Sequence, residues 1–323
     1  MSTPSNSARM KFGVLLPTRE VVMSGRADPS LLYRLAERAE ALGFDSIWVG
    51  DSLTARPRVD ALTTLAAVGA RTTRVRLGTA IYLAALRNPL LLAYQLASLD
   101  WMTGGRIDFG IGFGKLGEPS QAHEYEILGL NQATRMRRSE EAVHIMRRLW
   151  RENHVDYEGV FNRFKNVTME PKPAQSGGVP IWLASNEVEA GLRRVGRMGD
   201  AWMNNVKSPE VYHLCWEKIR AYATDAGRDP DTIHPACYVT LAAGGSDAAM
   251  EGQAFLARYY NRSHQAIVQA MLCLTGSWDN VIDRLEAYRD AGARTMVLRF
   301  AADDQLRYLE ICAAALERRN LLD

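Results

Sequence analysis

The sequence lacks the features that mark several large protein classes. Its four cysteines, Cys215, Cys237, Cys273 and Cys312, lie far apart and form no C-x-x-C pair. Neither a disulfide framework nor a cysteine zinc site is therefore expected, and this pattern is typical of a protein of the reducing cytoplasm. No apolar run approaches the roughly 20 residues that a membrane helix needs.

An excess of charge of one sign is also absent. The formal net charge is +2 over 323 residues, so composition gives no argument for binding to nucleic acid or to a membrane surface. The six histidines are scattered without metal-ligand spacing, and no G-x-S-x-G elbow is present. These absences give no reason to expect nucleic acid, a membrane or a metal ion as a partner.

What the chain does contain is a regular alternation of apolar runs of strand length with helical patterns. Because the runs show no polar alternation, both faces of their sheet are expected to be covered, as in parallel sheets. The predicted strands cover residues 11–17, 46–51, 75–83, 106–114, 180–186, 200–206, 236–243 and 295–300.

Three segments repeat the order helix, glycine, strand: AERAEALGFDSIWVGD, LRRVGRMGDAWMNNV and LEAYRDAGARTMVLRF. Eight strands with helices between them predict an α/β fold of the (β/α)8 TIM-barrel type, with a variable region, residues 245–277, before strand eight. The alternative is an open doubly wound sheet. Residues 1–9, MSTPSNSAR, are expected to be a disordered tail, and residues 10–323 a single domain.

The stretch RIDFGIGFGKLG, residues 106–117, spells G-x-G-x-x-G at Gly112, Gly114 and Gly117. A dinucleotide-binding turn places these glycines between the first strand of a domain and the start of a helix. Here they belong to the fourth predicted strand, and the next clear helix is predicted only near residue 133. We therefore interpret Gly112 and Gly114 as clearance that brings the backbone close to a flat ring.

Several segments together resemble the bacterial luciferase-like family of flavin- and deazaflavin-dependent oxidoreductases. They are KFGVLLP, AERAEALGFDSIWVGD, RVRLGTAIYL, LASLDWMTGGRIDFGIGFG, EYEILG, RRSEEAVHIMRRLW, YEGVFNRFKNVTMEPKPAQSGGVPIWLAS and RRVGRMGDAWM. The resemblance implies reduced FMN or coenzyme F420 as cofactor, bound at the carboxy-terminal face of a barrel that has an insertion after strand four. It also implies a small-molecule substrate. It implies either a monooxygenase or an enzyme that transfers hydride.

The resemblance also implies cofactor-binding residues at strands two and three. Thr79, Ala80 and Ile81 end strand three, where the family has a non-proline cis peptide, here expected between Ala80 and Ile81. Asp51 ends strand two, where an acidic residue lies near the pyrimidine end of the flavin; a helix cap is the alternative. Many relatives carry a histidine beside it, whereas this chain has Ser52, so the acid/base group is not identified.

Two further pairs of residues follow from the resemblance. Phe113 and Gly114 end strand four, and Phe113 stands where luciferases proper use an arginine to help hold phosphate. Ser185 and Asn186, expected to open a helix at Glu187, are assigned to the cofactor phosphate, with an N-cap as the alternative.

Arg299 ends strand eight and is assigned to the phosphate or tail of the cofactor, with a structural role as the alternative. The resemblance further implies a homodimer or higher oligomer, and reducing power that arrives through a separate flavin reductase. Two other functions stay open at this stage. One is a non-redox lyase or isomerase, for which Lys115 is the one strand-end lysine in the prediction. The other is a cofactor-binding protein without catalysis.

Overall fold

The structure is a computed structural model that describes residues 9–25 and 28–322. The first eight residues of the tail predicted for 1–9 therefore lie outside the described residues. Within these ranges the strands are β1 (Lys11–Leu15), β2 (Ser46–Val49), β3 (Arg76–Thr79), β4 (Ile107–Ile111), β5 (Val155–Glu158), β6 (Arg163–Val167), β7 (Ile181–Ala184), β8 (Ala201–Asn204), β9 (His234–Ala243), β10 (Cys273–Gly276) and β11 (Thr295–Phe300).

The helices alternate with these strands. They are α1 (Glu20–Met23), α2 (Ser30–Ala41), α3 (Ala61–Gly69), α4 (Pro89–Met102), α5 (Pro119–Ile127), α6 (Arg135–Arg151), α7 (Glu189–Met198), α8 (Pro209–Asp225), α9 (Ser246–Tyr260), α10 (His264–Ala270), α11 (Trp278–Asp290) and α12 (Gln305–Glu317).

Nine strands form one sheet in the order β10-β9-β11-β1-β2-β3-β4-β7-β8, and a further pairing of β8 with β9 closes it. The long strand β9 pairs with β8 through residues 234–237 and with β10 through residues 240–243. Strand β10 therefore pairs with β9 beyond the end of β8 and is not part of the ring. The ring consists of the other eight strands of this sheet, which are parallel. The predicted (β/α)8 barrel is confirmed.

The chain divides into two compact units. The first comprises residues 9–15, 34–46 and 185–322. Its core is rich in aromatic rings. The ring centroids of Trp202 and Tyr212 are 4.7 Å apart, and Trp202 also stacks on Trp216.

The second unit comprises residues 16–25, 28–33 and 47–184. Its core includes an edge-to-face pair of Trp48 and Trp182, with ring centroids 4.8 Å apart. Strand β4, IDFGI, is fully buried there, and its one charged residue, Asp108, pairs with Arg76 at 2.6 Å.

Helix α4 shows how the sequence sets element boundaries. The Asn88 side chain accepts hydrogen bonds from the backbone N–H groups of Leu90 and Leu91, and Pro89 occupies the first helical position. Gly104 and Gly105 follow with positive φ and end the helix.

Two segments differ from the sequence prediction. Helix α5 begins at Pro119, two residues after Gly117, where no helix was expected before residue 133. The absence of a nearby helix therefore does not distinguish this stretch from a dinucleotide-binding turn. The fourth-strand position within a closed parallel barrel still does.

The long connection 152–178 contains the antiparallel hairpin of β5 and β6. The Glu141 carboxylate of α6 accepts from the backbone N–H groups of Val160 and Phe161 and from the Asn162 side chain, which holds the hairpin tip against α6. In the variable region 245–277, α9 and α10 agree with the expected helical content, and β10 is an additional strand.

Candidate cofactor site

The end of β2 carries a buried carboxylate. The side chain of Asp51 is 2% exposed, and its Oδ1 accepts a hydrogen bond of 2.7 Å from Arg87 Nη2. Its Oδ2 accepts one of 3.0 Å from the backbone N–H of Leu83. Burial raises the pKa of Asp51, and the positive charge of Arg87 opposes that rise. Asp51 thereby fixes the segment that follows β3.

Arg87 also covers an aromatic ring. Its guanidinium carbon lies 4.4 Å from the ring centroid of Tyr82, and that ring contacts Phe109 of β4 at 5.3 Å. Burial raises the pKa of the Tyr82 hydroxyl, so it stays protonated and neutral. The network therefore joins the end of β2 to the segment after β3 and to β4.

The backbone after β3 is held from both sides. The Ala80 N–H donates to the Val49 carbonyl, and the Thr79 hydroxyl donates to the Gly110 carbonyl. The peptide between Ala80 and Ile81 is cis, as the resemblance implied. Ala80 and Ile81 are half-buried, whereas Thr79 is fully buried.

Gly112 serves a different purpose from the one that its motif suggested. A Cβ atom at Gly112 would lie 1.7 Å from Ile81 Cδ1, closer than any packed atoms approach. The space beside Gly112 is therefore filled by the Ile81 side chain, and the expectation that it clears room for a ring is wrong. The glycine lets Ile81 lie across the end of β4.

The residues after β4 turn outward. Phe113 is half-buried, and Gly114 is exposed with φ of +64°, a conformation that favours glycine. The Lys115 N–H donates to the Gln121 side chain of α5 at 2.8 Å, which fixes this turn against the helix. Phe113 and Ile81 thus give two half-buried apolar side chains at the ends of adjacent strands.

Glu124 on α5 is a residue that sequence reasoning missed. It is fully buried, and its Oε1 accepts from the Ser52 hydroxyl at 2.9 Å and from the backbone N–H groups of Thr54 and Ala55 at 2.7 and 3.0 Å. Its Oε2 is buried and has no hydrogen-bond partner. Glu124 lies within the quoted segment EYEILG, but nothing in the sequence marks that position as buried.

Ser52 is held on both sides. Its hydroxyl donates to Glu124 and accepts from the backbone N–H of Arg56. Together these bonds fix the loop 52–56 after β2 to the helix after β4.

Ser185 and Asn186 lie in the first unit. The Asn186 side chain exchanges two hydrogen bonds with Asn205, of 2.6 Å and 3.0 Å. Helix α7 begins at Glu189 with Val188 at its N-cap and no side-chain cap, so the expected start at Glu187 and the expected N-cap at Ser185 or Asn186 are wrong.

The Ser185 hydroxyl nevertheless lies against the first turn of α7. A Cβ atom at Gly191 would lie 2.1 Å from Ser185 Oγ, so the helix leaves room for this side chain only because residue 191 is glycine. Glu189 is neutralised by an ion pair of 2.8 Å with Lys218, which lowers the negative charge beside this turn.

Arg299 is enclosed by aromatic rings of α9. It is 2% exposed, its guanidinium carbon lies 3.8 Å from the Tyr259 ring centroid, and its Nη1 donates to the Tyr260 hydroxyl at 2.8 Å. These contacts belong to the structural role that the sequence also allowed, since they hold α9 against β11.

The structure therefore brings together one group of the predicted residues in the second unit. The ends of β2, β3 and β4 are linked there by the bonds described above; they carry Asp51, Thr79, Ala80, Ile81, Phe113 and Gly114. Ser185, Asn186 and Arg299 all lie in the first unit. The Ser185 hydroxyl donates to the Asn186 carbonyl and the Asn186 side chain bonds to Asn205, whereas Arg299 bonds to Tyr260.

This group suits one part of a flavin or deazaflavin. A planar tricyclic ring needs apolar support on one face, and Ile81, braced by Gly112, supplies such a surface beside Phe113. No cationic side chain stands at residue 113 itself to hold a phosphate group.

Other kinds of site are not seen among the residues with described positions. In residues 9–25 and 28–322, no group of three or more His, Cys, Asp or Glu side chains is arranged to hold a metal ion. Over the same residues no helix is long and apolar enough to cross a bilayer. The four cysteines are unpaired, and burial raises the thiol pKa of each.

Comparison with known proteins gives consistent results. The family model described as luciferase-like monooxygenase matches residues 10–295. An F420-dependent glucose-6-phosphate dehydrogenase from Segniliparus rotundus is 27% identical over 88% of this chain and 92% of its own length. A phthiodiolone/phenolphthiodiolone dimycocerosates ketoreductase from Mycobacterium bovis is 30% identical over 70% of this chain and 64% of its own length.

Among solved structures, the monooxygenase RslO1 from Streptomyces bottropensis is 27% identical. It superposes with a TM-score of 0.79 over 96% of this chain and 100% of its own.

Proposed function

Because this chain belongs to the luciferase-like monooxygenase family of flavin- and F420-dependent oxidoreductases, we propose that it uses coenzyme F420 to transfer hydride. The hydride goes to, or comes from, a small alcohol or carbonyl compound. The family membership confirms the resemblance and the expectation of FMN or F420 as cofactor. It also sets aside the non-redox lyase or isomerase. The choice of F420, the reaction direction and the substrate class are the proposal.

The observation that carries the proposal is the apolar side chain at residue 113. FMN ends in a phosphate monoester that carries close to two negative charges, and the resemblance places an arginine near it in luciferases proper. The phenyl side chain of Phe113 carries no charge and no hydrogen-bonding group. The phosphate of F420 is a diester with a single negative charge, so its binding depends less on such an arginine.

The similarity to a dehydrogenase supports the same choice. The relative from Segniliparus rotundus is named for F420 dependence and aligns along nearly the whole chain. The ketoreductase from Mycobacterium bovis is named for carbonyl reduction. We carry from these names only the class of reaction, hydride exchange at an alcohol or carbonyl carbon.

In this proposal the side chains of the second unit position the cofactor ring and shield it from water. When bound, the cofactor supplies a ring carbon that accepts or donates hydride. Ile81 supports the ring, and Phe113 at the adjacent strand end helps to keep water from it. Asp51 and Arg87 fix the segment 82–88, so that the ring support does not shift.

Ser52 is not assigned a proton-transfer role. Its hydroxyl already donates to Glu124 and accepts from the Arg56 N–H. Ser185 and Asn186 are proposed to hold the cofactor phosphate at the start of α7, supported by the nearby helix N-terminus and by the neutralisation of Glu189. Arg299, Thr79, Ala80 and Gly114 remain proposed cofactor contacts.

A second candidate is an FMN-dependent monooxygenase. It is favoured by the 27% identity to RslO1 over nearly the full length of both chains. This activity would need reduced flavin from a separate reductase. For either reaction we propose a homodimer in the cytoplasm. The location is supported by the four cysteines, which form no disulfide. The homodimer is supported by exposed apolar side chains of α4, among them Leu91, Trp101 and Met102.

The experiment that tests the proposal exchanges the side chain at residue 113. Phe113→Arg is expected to raise FMN affinity by about tenfold, because a charge-assisted hydrogen bond to phosphate contributes about 1.5 kcal/mol or more. Phe113→Leu, the control, keeps the apolar character and is expected to leave FMN affinity unchanged. Binding is measured by fluorescence titration with FMN and with F420. An FMN affinity that is equal in wild type and Phe113→Arg would contradict the argument.

A further inference from the structure

The end of β2 faces the inside of the barrel. Trp48 of β2 contacts Trp182 of β7, with ring centroids 4.8 Å apart, although β3 and β4 lie between these strands in the sheet. Rings from strands that are not neighbours meet on the inner side of a closed sheet. The Ala80 N–H bonds to the Val49 carbonyl, so the sheet continues to this point. Gly50 follows Trp48 by two residues and therefore faces the same side, nearer the carboxy-terminal mouth of the barrel.

The space in front of Gly50 is filled by Arg58. A Cβ atom at Gly50 would lie 2.0 Å from Arg58 Nη1 and 3.7 Å from the carbonyl oxygen of Ala80. The guanidinium can approach the backbone this closely because residue 50 is glycine. Its Nη1 therefore lies at the mouth of the barrel, beside the segment 79–81 that we propose to support the cofactor ring.

The loop that carries Arg58 is fixed on both sides of that residue. The Glu124 carboxylate accepts from two backbone N–H groups of the loop, and the Val59 N–H donates to the Thr18 carbonyl at 3.1 Å. Arg58 Nε donates to the Arg56 carbonyl at 3.3 Å, which leaves the two Nη nitrogens at the free end of the side chain. The guanidinium is held in place before any ligand binds, so little further ordering is needed on binding.

No carboxylate of the described residues neutralises Arg58. This residue is half-buried, and within the part of the chain that the structure describes it forms no ion pair and donates no hydrogen bond from either Nη. The two acidic residues that flank the loop are engaged elsewhere, since Asp51 pairs with Arg87 and Asp60 caps α3. A half-buried guanidinium whose Nη groups have no protein partner is suited to an anion.

We propose that Arg58 binds an anionic group of the substrate, either a carboxylate or a phosphate. The inference rests on the proposed function for the reaction, and it narrows the substrate to an alcohol or carbonyl compound that also carries negative charge. The planar fork of a guanidinium matches the paired oxygens of both anions. Such a group, bound in front of Gly50, places the rest of the substrate beside the segment 79–81, where the cofactor ring is proposed to lie.

The test follows the reaction of Arg58 with phenylglyoxal, which modifies accessible guanidinium groups, in the full chain without cofactor. Mass spectrometry of the digested protein gives the rate at each arginine, and the exposed Arg318 is the internal reference. The probes are 4-oxopentanoate, its uncharged methyl ester and inorganic phosphate. At least one of the two anions is expected to slow the modification of Arg58 about tenfold when roughly nine-tenths of the sites are occupied. The ester should change the rate at neither arginine.

The probe that protects Arg58 identifies the anion. Protection by 4-oxopentanoate but not by phosphate assigns the site to carboxylates, the reverse result assigns it to phosphates, and protection by both supports a site for either. An unchanged rate at Arg58 with both anions at their highest soluble concentrations overturns the inference. Protection by F420 or FMN alone also overturns it, because Arg58 then serves the cofactor. Since the probes are tested without cofactor, their result does not depend on whether the chain prefers F420 to FMN.

Gly50→Ala displaces the guanidinium without removing its charge. The new methyl group takes the position of Arg58 Nη1, and the flexible end of that side chain can move away, so thermal unfolding is expected to be unchanged. Protection of Arg58 by the anion should be lost. Protection that persists in the folded Gly50→Ala variant contradicts the proposed position of the anion.

Substitution of Arg58 itself measures its contribution to binding. Isothermal titration with the protecting anion should show at least about tenfold weaker binding to Arg58→Met, with Arg58→Lys between that variant and the wild type. Arg56→Met is the matched control, because it removes an equal charge from the same loop and keeps the backbone carbonyl that holds Arg58. Equal affinity in wild type and Arg58→Met overturns the inference, and so does an equal loss in Arg56→Met.

Discussion

Asp51 and Arg87 form a buried ion pair at the end of β2, with Arg87 Nη2 2.7 Å from Asp51 Oδ1. The pair joins the strand that ends at Val49 to the segment that leads from β3 into α4. Its bonds fix the segment 82–88, which we propose to lie beside the cofactor.

Arg87→Met is expected to destabilise the protein by about 3 kcal/mol, because it leaves a buried carboxylate without its charge partner. Asp51→Asn in the same chain should restore part of that loss, since an amide costs less to bury than a carboxylate. Urea unfolding of both single variants and of the double variant gives the coupling energy. Strictly additive losses would show that the two side chains do not depend on each other.

Glu124→Ala is expected to loosen the loop 52–58. It removes the acceptor of two backbone N–H groups and of the Ser52 hydroxyl, and each orphaned donor costs about 1–3 kcal/mol. Limited trypsin digestion should therefore cut faster after Arg58, whereas Glu124→Gln, which keeps an acceptor oxygen, should change the rate less. Glu126→Ala is the control, because Glu126 lies on the same helix and its side chain is 80% exposed. An unchanged rate in Glu124→Ala would mean that the loop is held by other contacts.

Gly112→Ala is expected to destabilise the protein by about 1–3 kcal/mol, because the new methyl group overlaps Ile81. Ile81→Ala should relieve most of that cost in the double variant, as measured by thermal unfolding without cofactor. If Gly112→Ala instead keeps its stability but binds cofactor poorly, the space beside Gly112 belongs to the ligand and not to Ile81.

Much of the fold was predictable from the sequence, because the barrel strands are mostly apolar and several helices, among them α3, α4, α8 and α11, begin at a side-chain cap. Helix α5 was missed because PSQAHEYEI has little apolar periodicity, and its stability depends on tertiary contacts of Glu124 and Tyr125. The hairpin of β5 and β6 was missed because it depends on bonds from Glu141, a distant residue on α6.

The candidate site was predictable at strand ends but not between them. The resemblance gave Asp51, Ala80 and Ile81, yet the partners of Asp51 come from Leu83 and Arg87 in a loop that no periodicity describes. Gly112 was misread because a glycine pattern shows where space is needed but not which group fills it.

Tyr125→Phe is expected to protect the protein at alkaline pH. Burial raises the pKa of Tyr125 from 10.0 to about 12. Because the pKa is raised in the folded state, its contribution is fully present below pH 10 and is lost as pH rises toward 12. The wild type should therefore lose about 2 kcal/mol more than the variant between pH 9 and pH 12, at 1.36 kcal/mol per pKa unit.

Denaturant unfolding at both pH values measures this difference, and the other tyrosines are common to both proteins. A gap between wild type and Tyr125→Phe that does not change with pH would contradict the assignment.

We propose that this family member uses F420 in preference to FMN. The dissociation constants of F420 and FMN for the wild-type chain test this preference most directly. Both are measured by fluorescence titration under the same conditions. We predict that F420 binds at least about tenfold more tightly, a difference of about 1.4 kcal/mol. FMN binding that equals or exceeds F420 binding would contradict it.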